Sequence, residues 1–150
     1  MLAQIEKGEV NPTISVLWKI ANGYKVSFTS LVERTDDSVS IIRLADIQPP
    51  QEDEGRYLNY PIFPFDEQKL FETYRIVIEA GGCLHAQPHL KGAVEYITVF
   101  AGDVTITAGG DQIQLSKGDS LRFSADVPHG YQNTGAESAE LSMLIYYCKA

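Results

Sequence analysis

The sequence predicts a mainly β domain, a small antiparallel barrel, preceded by a short helical segment. Three observations carry that expectation. From residue 41 to residue 148, short runs of alternating apolar and polar residues recur at near-regular intervals between glycine-containing turns, as the strands of a sandwich or barrel do. Residues 1–34 instead space their apolar side chains at the helical period. Composition permits both: 150 residues with 44% hydrophobic and 21% charged content suit one domain whose core needs no disulfide staple.

Taken in order, Leu2, Ala3, Gln4, Ile5, Glu6 and Lys7 read as the end of a helix, with Gly8 in the position beyond its C-cap. Asn11 or Thr13 caps a second helix, in whose first turn Pro12 is tolerated. Ile14, Leu17, Trp18, Ile20 and Ala21 form its apolar stripe, and Asn22-Gly23 ends it. A short third helix is expected over 28–32, capped by Ser27. Glu33, Arg34, Thr35, Asp36, Asp37 and Ser38 are polar and read as a linker.

Strands are expected over 40–44 and 56–63, with the loop 48–55 between them. Further strands are expected over 71–79, 94–100, 103–107, 112–115, 120–123, 129–132 and 139–147. Gly109-Gly110 makes a hairpin turn, because both residues tolerate φ > 0, and Ser116-Lys117-Gly118-Asp119 reads as another. The expected division is a helical unit over 1–34, a linker with a first strand over 35–55, and a barrel over 56–150.

Several function classes are excluded at this level. The first residues show neither the basic n-region nor the apolar h-region of a signal peptide, and no apolar run is long enough to span a bilayer. The expectation is a cytoplasmic protein with no membrane contact. Cys83 and Cys148 lack the spacing of a zinc ribbon or a CxxC pair and read as free thiols of a reducing compartment, a Cys83–Cys148 bridge being the alternative. A formal net charge of −8 argues against strong nucleic-acid binding by this chain alone, since phosphate contacts need clustered Lys and Arg.

The residues with chemistry in them are few. The chain has three histidines, His85, His89 and His129, and two of them stand in a spaced pattern with Glu95. Imidazole and carboxylate together are the usual ligand set for zinc, iron, nickel or manganese. Period-2 alternation supports convergence: Glu95, Ile97 and Val99 share one strand face, as do Leu121 with Phe123 and His129 with Tyr131. A metal-free cup, in which His89, Glu95 and His129 bond one another or a small organic ligand, fits the same pattern. His85 reads as a loop histidine. Lys91 and Arg75 near an anionic cup suit a carboxylate ligand, and Glu95 suits an amine.

Over roughly residues 56–148 these residues resemble the cupin superfamily, small double-stranded β-helix barrels that carry two motifs. The first is Gly, five residues, His-x-His, three or four residues, Glu, six residues, Gly; here His89, Glu95 and Gly102 fit. The second is Gly, five residues, Pro-x-Gly, two residues, His, three residues, Asn; here Gly118, His129 and Asn133 fit, with Ser124 and Asp126 in place of the motif's Pro and Gly. The first motif's second His falls at Lys91, a cation that cannot ligate while protonated. The resemblance therefore implies a divalent-metal site, if metal is bound, made of His89, Glu95 and His129 with open positions. His89, Lys91, Glu95, His129 and Tyr131 are then the implied ligand-binding residues, and no catalytic residue is assigned.

The stretch from Leu2 to Ala21 resembles the second half of an Xre-type, or lambda-repressor-like, helix-turn-helix domain, in which a recognition helix ends in a similar Ile-Glu-basic-Gly stretch. That family often carries a C-terminal cupin as a sensor. The resemblance implies that the first two helices and the start of the recognition helix lie before Met1, so Met1 is expected to be an internal methionine. It implies a transcriptional regulator whose barrel senses a small-molecule effector and whose helical half reads a DNA operator as a homodimer. A plain helical pair without a DNA role is the alternative for this stub. A stand-alone cupin metalloenzyme, of the dioxygenase, isomerase or decarboxylase type, is the alternative for the whole, with Tyr131, Tyr96 or Lys91 as its base. A metal-free binding or oligomerisation barrel is the third reading.

Overall fold

Among the described residues, ten antiparallel strands, numbered in chain order, form two sheets. The first has six strands: β1 (Gln51–Glu52), β2 (Tyr57–Asp66), β3 (Phe71–Ile78), β10 (Ala139–Tyr146), β5 (Val94–Ala101) and β8 (Ser120–Ser124), side by side in that order. The second has four: β4 (Cys83–Ala86), β9 (His129–Gln132), β6 (Asp103–Ala108) and β7 (Asp111–Ser116). This is a computed structural model, which describes residues 4, 5, 7, 12–24 and 39–148. Consecutive strands alternate between the sheets at β3/β4, β4/β5, β5/β6, β7/β8, β8/β9 and β9/β10, which wraps the chain into the jelly-roll barrel that the motifs imply.

The core follows from alternation. Along β10 the odd residues Ala139, Leu141, Met143 and Ile145 are buried. β10 lies between β3 and β5, pairing Met143 with Tyr74 on one side and Ile97 on the other. Ile76, Ile78, Val99, Val104, Ile106 and Leu115 fill the space between the sheets. β2 contains Pro61 and Pro64, which a central strand does not tolerate. The register explains them: β1 pairs only with Tyr57 and Leu58, so β2 is an edge strand beyond that point and needs no donor there. The ladder to β3 shifts register on either side of Phe63.

Glycines act where the chain has no alternative. Gly109 and Gly110 have φ of 58° and 97° and close the two-residue hairpin between β6 and β7, as expected. Gly102 has φ 69°, and a Cβ there would lie 2.7 Å from the carbonyl oxygen of Ser138. The last glycine of the first motif is thus fixed by packing against the β9–β10 connection.

The helix α1 runs over Ile14–Tyr24. The carbonyl of Thr13 accepts from the backbone N–H of Leu17, which makes Thr13 the cap of the two candidates. Of the expected stripe, Ala21 is buried and Leu17 and Ile20 are half-buried, while Ile14 and Trp18 are exposed. The helix continues through Asn22-Gly23 to Tyr24, one residue beyond its expected end. The expected third helix over 28–32 and the polar linker 33–38 lie outside the described residues.

Four expectations about the β half are corrected. Residues 40–44 form no strand: Ile41 is 72% exposed, no ladder reaches it, and the backbone turns into a 3₁₀ segment at Leu44–Asp46. Adjacent Ile41 and Ile42 break the alternation a half-buried strand needs. The loop 48–55 contains the short strand β1 and a turn in which Asp53, Glu54 and Gly55 all have positive φ. Residues 116–119 are not a hairpin, because β7 and β8 lie in different sheets. His85 is not in a loop: it lies on β4, paired with Gly130 of β9. That four-residue strand is bounded by Gly82 and Pro88 and is too short to show a period; its partner makes it a strand.

Candidate metal centre

His89, Glu95 and His129 converge. One donor atom from each lies within 4.8 Å of the others, and no other group of three such side chains is found among the described residues. Three backbone elements bring them together. Glu95 points inward from the second position of β5, His129 opens β9 on the opposite sheet, and His89 sits in the connection between β4 and β5. That connection is pinned: the His89 N–H donates to the Ala125 carbonyl at 2.9 Å, the Ala125 N–H donates to the Ala93 carbonyl at 2.8 Å, and the Gly92 N–H donates to Asp126 Oδ2 at 2.9 Å. Asp126, which stands where the motif has Gly, thus holds the turn that carries a site histidine.

Glu95 is completely buried. An ionised carboxylate there is costly unless paired and hydrogen-bonded. Burial pushes its pKa up, but the His129 and His89 imidazoles and the Tyr131 hydroxyl beside its oxygens outweigh burial and hold it at about 2. His89 Nε2 lies 2.9 Å from Oε1, and the buried Tyr131 hydroxyl donates to Oε2. Burial and the adjacent Glu95 carboxylate push the Tyr131 phenol far above its ordinary range, so it stays a neutral donor.

His129 is oriented from behind. Its Nδ1 lies 2.7 Å from the Val127 carbonyl oxygen, which can only accept, so Nδ1 carries the proton and Nε2 faces the cup. Nε2 lies 3.2 Å from Glu95 Oε1, yet outside hydrogen-bonding geometry, and it is a buried nitrogen without a hydrogen-bond partner. Burial lowers the pKa of His129, but the Glu95 carboxylate and the Val127 carbonyl outweigh it and raise the pKa above its ordinary value. Phe123 and Tyr131 pack edge-on against the His129 ring at 5.5 and 5.8 Å.

A cavity of about 140 Å³ opens beside these groups. At roughly 30 Å³ per water molecule in the liquid, it holds about four or five water-sized groups. Sequence reasoning placed His89, Glu95, His129 and Tyr131 there, and all four line it. It missed Tyr57, Asn59, Glu72, Tyr74, Met143 and Ile145, which β2, β3 and β10 contribute. Asn59 Oδ1 is buried without a hydrogen-bond partner, an arrangement that costs about 1–3 kcal/mol where nothing satisfies it. A polar Asn two residues after Tyr57 in an apolar strand was the available signal.

The two cations expected nearby lie elsewhere. Arg75 faces outward from β3 and donates to Glu140 Oε2 at 2.7 Å, while Lys91 is exposed and does not line the cavity. His85 is exposed on β4. Asn133, the last residue of the second motif, is structural: its Nδ2 donates to the Ile78 and Glu137 carbonyls, and its Oδ1 accepts from the Gly135 N–H. Cys83 and Cys148 are free thiols. Among the described residues, no helix is long and apolar enough to cross a membrane.

Comparison with known proteins adds two domain matches. Residues 74–146 match the cupin domain family, and residues 1–31 match a helix-turn-helix family. The chain is 33% identical over 147 residues to the HTH-type transcriptional regulator SutR of Escherichia coli (strain K12), covering 98% of this chain and 79% of that protein. A helix-turn-helix transcriptional regulator from Vibrio cholerae aligns over 99% of this chain and 80% of its own, at 30% identity and a TM-score of 0.64. The cupin domain of an XRE family transcriptional regulator from Enterobacter cloacae aligns over 63% of this chain and 99% of its own, at 28% identity and a TM-score of 0.60.

Proposed function

Because the chain belongs to the helix-turn-helix transcriptional regulators that carry a C-terminal cupin domain, we propose that its barrel cup is a small-molecule sensor and not a catalytic centre. One observation carries this reading: none of the three side chains expected as an alternative base is placed to serve. Tyr131 is committed to Glu95 as a neutral donor. Tyr96 and Lys91 are exposed, outside the cup. A small cup with orienting hydrogen bonds, from which Tyr96 and Lys91 are excluded and in which Tyr131 is committed as a donor, suits recognition.

The donor set also fits a divalent metal. His89, Glu95 and His129 would hold it, with other positions left open, as in sites that take an exogenous ligand. The unpartnered Nε2 of His129 is the atom that argues for this, since a bare buried nitrogen beside a carboxylate oxygen calls for a cation. Tyr131 occupies Oε2 of Glu95 and leaves Oε1 facing the histidines, and Val127 fixes the His129 tautomer, the outer support that metal-binding histidines usually have. Nitrogen and carboxylate ligands suit zinc, iron, nickel or manganese. A bound ion would supply a Lewis-acid position for a lone pair of the effector.

The regulator acts in the cytoplasm as a homodimer on a DNA operator in this reading. The outer face of the six-stranded sheet supports the dimer, since it exposes Phe100 and Tyr146 beside half-buried Leu144. A coupling of roughly 1–3 kcal/mol between effector and operator is the size typical of such switches. The test has two arms. Elemental analysis of protein purified without chelator should find a near-stoichiometric divalent metal that His129→Ala loses. Operator affinity should shift about 5- to 150-fold with a pool of small metabolites, and Glu95→Ala should abolish the shift. Enzyme-like turnover of the same pool with unchanged operator affinity would install the metalloenzyme reading instead.

A further inference from the structure

We propose that Asn59 and Glu72 form an amine-recognising subsite beside the His89–Glu95–His129 cup, so that the effector is a small primary amine. The inference rests on the sensor reading for its biological role, though not for its chemistry. Nothing in the two motifs points to β2 or β3, yet these strands supply the wall of the cavity opposite the histidines.

Acceptors dominate that cavity. Asn59 Oδ1 and His129 Nε2 are both buried there without a hydrogen-bond partner. Glu95 is fully buried, and Glu72 adds a second carboxylate, whose Oε1 takes a hydrogen bond from the Tyr147 hydroxyl at 2.5 Å. No lysine or arginine is among the lining residues. Arg75, the arginine nearest in the ladder, pairs with Glu140 outside. A carboxylate ligand therefore meets no lysine or arginine here, and its oxygens would face Asn59 Oδ1 and the Glu72 and Glu95 carboxylates. A ligand with several N–H groups meets the opposite situation.

A primary ammonium carries three donors and one positive charge on a single atom, which matches clustered acceptors beside carboxylates. An alcohol offers one donor and no charge. The cavity has room for about four or five water-sized groups, enough for an ammonium head and a short alkyl stem. Tyr57, Met143 and Ile145 give the stem an apolar wall. With a divalent ion in the cup, the neutral amine would place its lone pair there and keep its N–H groups for Asn59 and Glu72.

The experiment uses the whole 150-residue chain, stripped with chelator, and calorimetric titration with ethylammonium chloride. Potassium acetate and tetramethylammonium chloride serve as comparisons. Saturable binding of ethylammonium is expected, with no response to acetate. Tetramethylammonium has the charge but no N–H and should fail. Asn59→Leu and Glu72→Gln should each weaken ethylammonium at least 10-fold, while Asn59→Asp, which keeps the acceptor, should retain it. Acetate or tetramethylammonium binding as well as ethylammonium would overturn the proposal, and so would an unchanged affinity in a folded Asn59→Leu protein. If that variant does not fold, the ligand series and Asn59→Asp still decide. Ethylammonium that binds without moving operator affinity would end the sensor reading and leave the subsite standing. An operator response to an anion, with no ethylammonium binding, would do the reverse.

Discussion

The two faces of the six-stranded sheet each carry a carboxylate beside a potentially cationic side chain, in opposite surroundings. On the inner face Glu95 meets His89 and His129 with its side chain 0% exposed. On the outer face Arg75 meets Glu140 with side chains 42% and 39% exposed, at a shorter 2.7 Å. The shorter contact is the weaker one. Water and salt screen the outer pair, which also costs side-chain entropy to hold. The inner carboxylate is shielded from bulk solvent, so each hydrogen bond it accepts helps to keep it charged. Distance alone does not rank ion pairs; burial does.

Acid is the largest expected test of that difference, on chelator-treated protein. The pKa of Glu95 is depressed from 4.5 to about 2, so the stability it contributes is present above pH 4.5 and lost as pH falls toward 2. The full shift corresponds to about 3 kcal/mol. The pKa of His129 is raised, so its contribution is present below 6.5 and lost as pH rises through its higher folded value. Denaturant titrations across pH should therefore give a maximum between 4.5 and 6.5. Glu95→Gln should flatten both limbs; an unchanged profile would show that the inner pair does not govern stability.

Tyr131→Phe comes next in size. It removes the donor to Glu95 Oε2 and leaves a buried carboxylate oxygen unpaired, which costs about 1–3 kcal/mol. Loss of an orienting group behind a ligand also typically lowers metal affinity by about 10- to 100-fold. Competition against a fluorescent zinc chelator reads the second effect separately from the first. Equal affinity in the variant would remove Tyr131 from the site.

The smallest effect belongs to the outer pair. Arg75→Ala should cost less than about 1 kcal/mol, and the loss should shrink further in high salt. A stability loss of several kcal/mol in denaturant titration would mean that the outer face is covered in solution, as the proposed dimer would cover it.

The sequence contained the barrel because its determinants are local. Alternation put Glu95, Ile97 and Val99 on one face of β5, and Gly109-Gly110 set a hairpin, without reference to any distant residue. The spacing of His89, Glu95, Gly102, Gly118, His129 and Asn133 identified the family by resemblance. Where local signals were thin, the reading failed: residues 40–44 look strand-like but find no partner strand, and residues 83–86 look like a loop but find β9.

Only the tertiary structure decided what the cup contains. A period of two states which side chains share a face; it does not state which strands are neighbours or which face is turned inward. Arg75 and Glu72 both lie on β3, an odd number of residues apart, so one must face out when the other faces in. The sequence by itself put Arg75 near the site and gave Glu72 no role, and the packing of β3 against β10 and β2 sent Glu72 into the cavity and Arg75 to Glu140. Asn59 enters through a register that no motif encodes, and Lys91 lies exposed outside the cavity. Local periodicity fixed the strands, and long-range pairing decided which charges are dry.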